Sequence, residues 1–237
     1  NHIVDEKIDI QMSRTRRRPL PQGKVSRNQA LVWGLILGFL GIGLLFVYVN
    51  LLTAVLTFLS LIGYAVFYTM YLKRATPQNI VIGGAAGAAP PILGWTSVAG
   101  LQGIEYALLL FLIVFIWTPP HFWALAIHRH EEYKKAEVPM LPVTHGLQFT
   151  RVQILLYTVL LFIVTLLPYL TGMSGIIYLV SAVMLGVLFL GYTVKIYREP
   201  ENPKIAFKTF KYSVNYLMVL FVSLLVDHYL LITFGTI

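Results

Sequence analysis

The sequence predicts an all-α protein that folds as a polytopic bundle of transmembrane helices. Hydrophobic residues make up 57% of its 237 positions and charged residues only 12%, and the mean hydropathy is +0.74. A soluble globular domain usually carries about a quarter charged residues, so this chain has roughly half the normal supply. Long apolar runs recur along the chain, and a helix needs about 20 such residues to cross the hydrocarbon core of a bilayer.

Seven apolar runs are long enough to be membrane spans. They lie at about 29–49, 51–72, 80–99, 104–127, 150–170, 174–195 and 213–234. The third run is rich in small residues and contains Pro90-Pro91, so we expect it to kink. Small residues let helices approach closely in lipid, which favours a place for this span in the interior of the bundle. We expect the whole of residues 1–237 to form one membrane-embedded domain.

The distribution of basic residues predicts the orientation of the chain. If the first loop lies inside, four segments share its side and contain all 18 Lys and Arg residues. These segments are 1–28, 73–79, 128–151 and 195–212. The positive-inside rule makes this side cytoplasmic. We therefore predict a multi-pass protein of the cytoplasmic membrane, or of the mitochondrial inner membrane, with its active site on the cytoplasmic or matrix side.

Two classes of function are disfavoured by composition. The chain has no cysteine, which excludes disulfides, thiolate zinc sites and cysteine nucleophiles. Its net charge of +8 would suggest nucleic acid in a soluble protein, but basic cytoplasmic loops account for it here, so we predict no nucleic-acid partner. The sequence opens at Asn1 without Met, in what looks like the end of a helix, and we expect further N-terminal spans to precede it.

An acidic and basic cluster opens the chain on the predicted cytoplasmic side. Asn1, Asp5 and Asp9 recur at i, i+4 and i+8, so on a helix they share one face. Mg²⁺ binds one or two carboxylates and fills its other positions with water and phosphate oxygens. Arg14 and Arg18 follow directly, and guanidinium groups match phosphate oxygens in pairs. A diphosphate with its metal ion fits this pattern better than the alternative, a solvated helix end.

The third inside loop repeats the acid–base pattern. When Asp9 is aligned with Glu132, Asp5 falls on His128, and a Pro and a Gly follow at matching distances. Arg129 supplies the basic partner in this loop. Two such loops on the same side predict a pocket with two walls.

The second inside loop is short and basic, with Lys73 and Arg74 after Tyr68. Lysine and arginine at a helix end are ordinary membrane anchors. On the same side as the two acid–base loops, they are equally suited to a polyanionic substrate.

Polar groups within the spans are few. His121 follows Pro119-Pro120 late in the fourth span, where an imidazole either satisfies carbonyls that the prolines leave free or takes part in function. Asp227 and His228 form an ionisable pair in the last span. Ionisable groups at membrane depth are functional candidates by default, although this pair lies near the outer end of its span.

These motifs together resemble the intramembrane aromatic prenyltransferase superfamily, and within it the haem-modifying branch of protohaem IX farnesyltransferases (haem O synthases). The resemblance extends from Asn1 to at least Gly146, and the family has nine helices. It therefore implies that the seven spans are a fragment of a nine-helix prenyltransferase fold. The motifs that carry the resemblance are Asn1-x-x-x-Asp5-x-x-x-Asp9, Arg14-Thr15-x-x-Arg18, Lys73-Arg74-x-Thr76-Pro77-Gln78-Asn79, Trp117-Thr118-Pro119-Pro120-His121 and Pro139-Met140-Leu141-Pro142.

The resemblance implies an enzyme that transfers the farnesyl group of farnesyl diphosphate to a vinyl group of haem b, with addition of water, to give haem O. This product serves haem A and respiratory-oxidase cofactor synthesis, so a haem A synthase is a candidate partner besides the two substrates and the lipid bilayer. By position, Asn1, Asp5 and Asp9 would hold Mg²⁺ and the diphosphate. Glu132 would close the second wall as a further catalytic, metal-binding carboxylate.

The remaining site residues follow partly from the resemblance and partly from the chemistry that it implies. The cations that would neutralise the diphosphate are Arg14, Arg18, Lys73, Arg74 and Arg129. Tyr68 and Tyr133 offer aromatic faces that stabilise an allylic cation. His121 would ligate or orient haem, and His128 would complete the second substrate-binding motif.

Two other functions stay open on sequence alone. A sister prenyltransferase that acts on a quinone precursor would need a second motif richer in Asp than His128-x-x-x-Glu132. A non-catalytic transporter of haem or lipid would place its ionisable groups near mid-membrane on broken helices. Lys7 stands where the family often has Asp, which lowers the local negative charge and leaves the number of metal ions open.

Overall fold

The computed structural model describes residues 2–12 and 15–234, without the side chains of Arg74, Pro203 and 231–234. This part of the chain is helical and has no β-strand, which confirms the predicted all-α class. One helix, Gly63–Leu72, is a π-helix. The α-helices are α1 (His2–Gln11), α2 (Arg27–Tyr48), α3 (Leu51–Ile62), α4 (Lys73–Ala75), α5 (Asn79–Gly87), α6 (Pro90–Ala99), α7 (Ile104–His128), α8 (His130–Lys135), α9 (Leu141–Thr144), α10 (Gly146–Val164), α11 (Leu167–Leu170), α12 (Ile176–Arg198) and α13 (Pro203–Phe234).

Six helical segments of the described chain are long and apolar enough to cross a membrane. Each corresponds to one predicted span. They are Arg27–Tyr48, Leu51–Leu72, Ile104–His128, Gly146–Leu170, Ile176–Arg198 and Lys204–Leu230. The last one starts well before the predicted residue 213, because α13 begins with a lysine-bearing polar segment ahead of its apolar run.

The third predicted span is divided into α5 and α6, which explains six long helices where seven spans were predicted. The two halves have 9 and 10 residues, so neither reaches the length of a span. Pro90 lies at the first turn of α6, where a missing N–H is harmless because that group would have no partner within the helix. The helix is interrupted at Ala88–Ala89, directly before the prolyl pair at which the sequence predicted a kink.

The helices form two compact units. The first comprises Asn1–Ile104 and Arg129–Thr144, and the second comprises Glu105–His128 and His145–Ile237. In the first unit, α3 packs against α2 and α6, and α5 packs against the π-helix. The short α1 contacts both α2 and the π-helix. The acidic helix α1 and the basic residues of α4, which follow the π-helix, therefore belong to one unit.

In the second unit, α12 packs against α10 and α13 around an apolar core. Gly186 lets α12 approach α10, since a Cβ at this position would lie 2.3 Å from the ring of Phe162. The buried core residues are Ile113, Ile116, Leu161, Val164, Tyr178, Ala182, Phe189, Tyr216 and Leu220. Small residues at helix contacts of this kind are what packing in lipid favours.

Asp227 caps α12. From the sequence alone, this residue could have had either a structural or a functional role. Its buried carboxylate accepts hydrogen bonds from the backbone N–H groups of Gly175, of Ile177 at 3.1 Å and of Tyr178 at 3.4 Å. The first N–H groups of a helix have no intrahelical acceptor, and their partial positive charge favours an anion. Asp227 thus joins α13 to the start of α12, while the neighbouring His228 is exposed.

Candidate functional site

Two buried carboxylates on α1 form the centre of the candidate site. Asp5 and Asp9 are 7% and 4% exposed on a helix whose other described residues are less buried. Their i, i+4 spacing places them on one face, as predicted from the sequence. Burial of two carboxylates one turn apart is costly unless cations or hydrogen bonds compensate for the lost hydration.

A cation from a different segment binds each carboxylate. Nη1 of Arg18 lies 2.8 Å from Oδ2 of Asp9, and Nζ of Lys73 lies 2.7 Å from Oδ2 of Asp5. The hydroxyl of Thr15 donates to the carbonyl of Asp9 at 3.1 Å, which fixes the turn that carries Arg18 back over α1. Acidic and basic motifs that are 68 residues apart in sequence thus meet directly.

The second oxygen of Asp5 is left free for a ligand. Oδ1 of Asp5 is buried and has no hydrogen-bond partner within the described residues. Those residues contain no group of three or more His, Asp or Glu side chains that could hold a metal ion by itself. A divalent cation such as Mg²⁺ still fits Asp5 and Asp9, because it binds few carboxylates and completes its coordination with water and phosphate oxygens.

The π-helix brings an aromatic ring to the same carboxylate. Tyr68 lies within electrostatic range of Asp5, Tyr64 and Tyr133, and its ring stacks on that of Tyr64 with centroids 5.3 Å apart. The hydroxyl of Thr69 donates to the carbonyl of Tyr64 at 2.8 Å, five residues earlier, which supports the wider helical turn. π-Helical turns are rare and occur often at functional sites.

Two residues that position Tyr68 and Lys73 were not among the predicted site residues. A Cβ on Gly83 would lie 2.3 Å from the ring of Tyr68, so only glycine lets this ring lie against α5. Asn79 is fully buried and donates from Nδ2 to the carbonyl of Lys73 at 3.2 Å. The only sequence signal for Gly83 is the small-residue run 83–89, which indicated close packing but not its partner.

The third inside loop contributes Arg129, Glu132 and Tyr133 to the first unit. Nη1 of Arg129 lies 3.5 Å from Oε2 of Glu132, and its Nε and Nη1 are buried without a hydrogen-bond acceptor in the described part of the chain. The helix breaks at Arg129, so His128 and Glu132 do not form the continuous helical pair that Asp5 and Asp9 form.

The two predicted histidines belong to the second unit. His121 lies on α7, is 6% exposed and has its Nδ1 at 2.7 Å from the hydroxyl oxygen of Ser213. His128 ends α7 and stacks on Phe207 with ring centroids 4.7 Å apart. Both rings are therefore held by α13 within their own unit.

For three predicted site residues the structure describes no side chain. Asn1 and Arg14 lie outside the described residues, and so does the side chain of Arg74. The backbone of Arg74 is part of α4, next to Lys73. Of the predicted residues, the structure thus brings together Asp5 with Lys73 and Tyr68, Asp9 with Arg18, and Arg129 with Glu132.

Known proteins resemble this chain over almost its whole length. The UbiA prenyltransferase family matches residues 1–215. A protoheme IX farnesyltransferase of Ruthia magnifica subsp. Calyptogena magnifica is 74% identical over 232 residues, which are 98% of this chain and 78% of that protein. A protein of the same name from Alcanivorax borkumensis is 59% identical and aligns with 98% of this chain and 76% of its own length.

A solved structure shows the same fold. It is described as a digeranylgeranylglyceryl phosphate synthase in membranes, and it matches with a TM-score of 0.78 and 23% identity over 95% of this chain and 78% of its own. At that identity the likeness concerns the fold alone. Prenyltransferases of the matching family generally depend on a divalent metal ion. The family match and the identities above confirm the resemblance seen in the motifs: the chain belongs to the UbiA prenyltransferase family.

Proposed function

We propose that this chain transfers the farnesyl group of farnesyl diphosphate to a vinyl group of haem b and so makes haem O. Relatives that are 59% to 74% identical bear the name protoheme IX farnesyltransferase, which supports both the prenyl donor and the haem acceptor. The observation that carries the proposal is the pair of buried carboxylates, Asp5 and Asp9, each bound by a cation from another segment.

Mg²⁺ is the proposed cofactor, and Asp5 and Asp9 are the residues that would hold it. When bound, the ion would supply Lewis-acid stabilisation to the departing diphosphate. The unpartnered Oδ1 of Asp5 is the atom that supports this assignment best. Lys73 and Arg18 bind the other oxygens of the two carboxylates, so the chain itself holds these groups in fixed orientations.

The diphosphate would be bound by cations that the folded chain leaves available. Arg129 belongs to the first unit and has two buried guanidinium nitrogens, Nε and Nη1, without a hydrogen-bond acceptor in the described residues, and a phosphate oxygen would satisfy them. Arg14, Arg74 and Asn1 are proposed for the same role from their positions in the motifs. Glu132 would hold Arg129 in place and close the second wall of the site.

The chemical step would start with rupture of the C1–O bond of farnesyl diphosphate, and the diphosphate leaves with the electron pair. One vinyl carbon of haem then forms a C–C bond to C1, and water adds its oxygen to the other vinyl carbon and releases a proton. The faces of Tyr68 and Tyr133 would stabilise the allylic cation. An apolar membrane chamber would protect this cation from premature capture by water.

We assign the binding of haem b, the acceptor of the farnesyl group, to His121. His128 is a further proposed substrate-binding residue. His121 is buried among aromatic side chains, which suits an apolar macrocycle. We further propose that the reaction takes place on the cytoplasmic or matrix side of the bacterial or mitochondrial inner membrane, where all basic loops lie. The product would pass to a haem A synthase.

The test is an assay of the full-length protein in membranes with haem b, farnesyl diphosphate and Mg²⁺, with haem O measured by chromatography and mass. The Asp5→Asn/Asp9→Asn variant is expected to lose activity at least about 100-fold, since it removes the charge that holds the metal ion. Glu6→Gln is the matched control, because Glu6 lies on the same helix and pairs with Arg27.

Each outcome of the assay is decisive. Haem O from the wild type and from Glu6→Gln, but not from the double variant, supports the reaction and the carboxylate site. Equal haem O from all three proteins would overturn the metal assignment. Prenylation of an aromatic acid in place of haem would assign the chain to a sister enzyme of quinone synthesis.

A further inference from the structure

The ring of His121 is fixed on both faces by aromatic side chains. Trp117 stacks on one side with ring centroids 4.2 Å apart, and Phe210 stacks with centroids 4.6 Å apart. Phe122 meets the ring edge-on at 4.8 Å. The imidazole therefore cannot tilt freely, and its two nitrogens point in defined directions.

The hydroxyl of Ser213 determines which nitrogen of His121 carries the proton. Its Oγ lies 2.7 Å from Nδ1 of His121, and the same Oγ donates its hydrogen to the carbonyl of Phe210 at 2.7 Å. A hydroxyl has one hydrogen to give. With that hydrogen directed to Phe210, the oxygen is left to accept from Nδ1–H of His121, and the Ser213 contacts together favour this tautomer.

The backbone of Ser213 supports the same arrangement. Its carbonyl accepts a hydrogen bond from Nε1 of Trp117 at 2.8 Å, so one residue of α13 holds both stacked rings of α7. Ser213 itself is fully buried, and this network is shielded from water that could exchange its partners. All of these residues lie in the second unit.

In the Nδ1–H tautomer, Nε2 of a neutral histidine carries a lone pair. No hydrogen bond to Nε2 of His121 is made by the part of the chain that the structure describes. A histidine whose Nδ1–H is held by a neighbour while Nε2 stays free has the arrangement of metal-bound histidines, whose second nitrogen donates to a neighbouring group.

We infer that Ser213 is a positioning residue, which holds His121 in the Nδ1–H tautomer so that Nε2 presents its lone pair to the iron of a metalloporphyrin. The identity of the ligand rests on the proposed haem acceptor, whereas the tautomer follows from the Ser213 contacts alone. The rings of Trp117, Phe122 and Phe210 around this imidazole are apolar, and a hydrated ion would lose its water there without gaining polar partners.

The tautomer is tested first, by NMR of the full-length protein labelled with ¹⁵N-histidine and without haem. The chain has 6 histidines, and the His121 signals are assigned by their loss in His121→Gln. We expect a proton on Nδ1 and a bare Nε2 in the wild type, and a mixture of tautomers in Ser213→Ala. Ser223→Ala is the matched control, because Ser223 lies on the same helix and donates to its own i−3 carbonyl without a histidine partner.

The ligand is tested second, by titration of the same proteins with ferric haem b and measurement of the optical spectrum. Second-sphere substitutions typically weaken metal binding by about 10–100-fold, so we expect at least about tenfold weaker binding and an altered spectrum in Ser213→Ala. Ser213→Thr, which keeps the hydroxyl, and Ser223→Ala should match the wild type.

The two measurements separate the possible failures. An unchanged His121 tautomer in a folded Ser213→Ala protein would overturn the role of Ser213. If the wild type has the expected tautomer but binds haem with the same affinity and spectrum as His121→Gln, the contact between Nε2 and the iron would be overturned. A wild type that binds no haem at all would overturn the proposed acceptor and, with it, the ligand, but would leave the tautomer assignment intact.

Discussion

At the scale of single residues, the site depends on how buried charges are compensated. The side chains of Lys73 and Asp5 are 20% and 10% exposed, which is more burial than a surface ion pair has. Ion pairs at the surface contribute little to stability, whereas the loss of one partner from a buried pair leaves an uncompensated charge. We therefore expect the ion pair between Lys73 and Asp5 to contribute to the stability of the fold and to the binding of an anionic ligand.

Lys73→Met is expected to lower both stability and activity. Hydrogen bonds to charged groups contribute about 1.5–3 kcal/mol, so kcat/KM for farnesyl diphosphate should fall at least about tenfold. The measurement is steady-state kinetics together with thermal unfolding. Lys7→Met is the control, because Lys7 is an exposed cation on α1.

A second variant separates stability from chemistry at this pair. Lys73→Met/Asp5→Asn has no unpaired carboxylate, so its unfolding temperature should return towards that of the wild type. Its activity should stay low, because the carboxylate proposed for the metal ion is gone. If Lys73→Met alone kept wild-type kcat/KM and stability, the ion pair would have no part in either property.

At the scale of elements, the π-helix and α5 together place Tyr68. Hydrogen bonds in a π-helix link residues five apart, and Tyr68 and Lys73 are separated by that number of positions. An α-helical reading of this run would align Tyr68 with Leu72 instead. Because the sequence contains no proline in this run and reads as an ordinary span, its π-helical turn was not predicted.

Gly83→Ala is expected to displace the ring of Tyr68, since the added methyl group would lie 2.3 Å from two ring carbons. Overpacking of a well-packed contact typically costs about 1–3 kcal/mol. We therefore expect a lower unfolding temperature and reduced haem O synthesis. Gly87→Ala on the same helix is the control, because nothing lies within 4 Å of its Cβ position.

A double variant shows whether Tyr68 is the cause. Gly83→Ala/Tyr68→Ala removes the ring that the new methyl group would strike, so its stability should exceed that of Gly83→Ala. Its activity should remain low if Tyr68 acts on substrate. Equal stability of wild type, Gly83→Ala and Gly87→Ala would contradict the close approach between α5 and the π-helix.

At the scale of the whole molecule, the chain's lack of cysteine makes its orientation directly testable. Gln102 and Lys135 are both exposed, and they lie in connections that the basic-residue pattern assigns to opposite sides. We expect a membrane-impermeant maleimide to label Gln102→Cys in sealed right-side-out vesicles and Lys135→Cys only after the vesicles are inverted. Labelling of the unsubstituted protein is the blank, and the reverse pattern would contradict the predicted orientation.

The sequence by itself determined the class of the protein and most of its helices. Apolar runs long enough for a bilayer and 18 basic residues in alternate loops are properties of composition and spacing, which need no tertiary contacts. The prolyl pair also predicted a kink in the third span, because proline restricts the backbone locally, but its division into two helices was not predicted. The acidic motif on α1 predicted a shared face for Asp5 and Asp9 for the same reason, since helical spacing is a local rule.

Only the tertiary structure decided which side chains meet. The contact between Lys73 and Asp5 joins residues 68 positions apart, and no local pattern specifies such a pair. Gly83 is required because the ring of Tyr68 packs against it. Asp227 is important because it caps the start of α12. Ser213 likewise matters because α13 brings its hydroxyl to His121. Local spacing determines the faces of helices, whereas the energy of a buried polar group depends on the partner that folding brings to it.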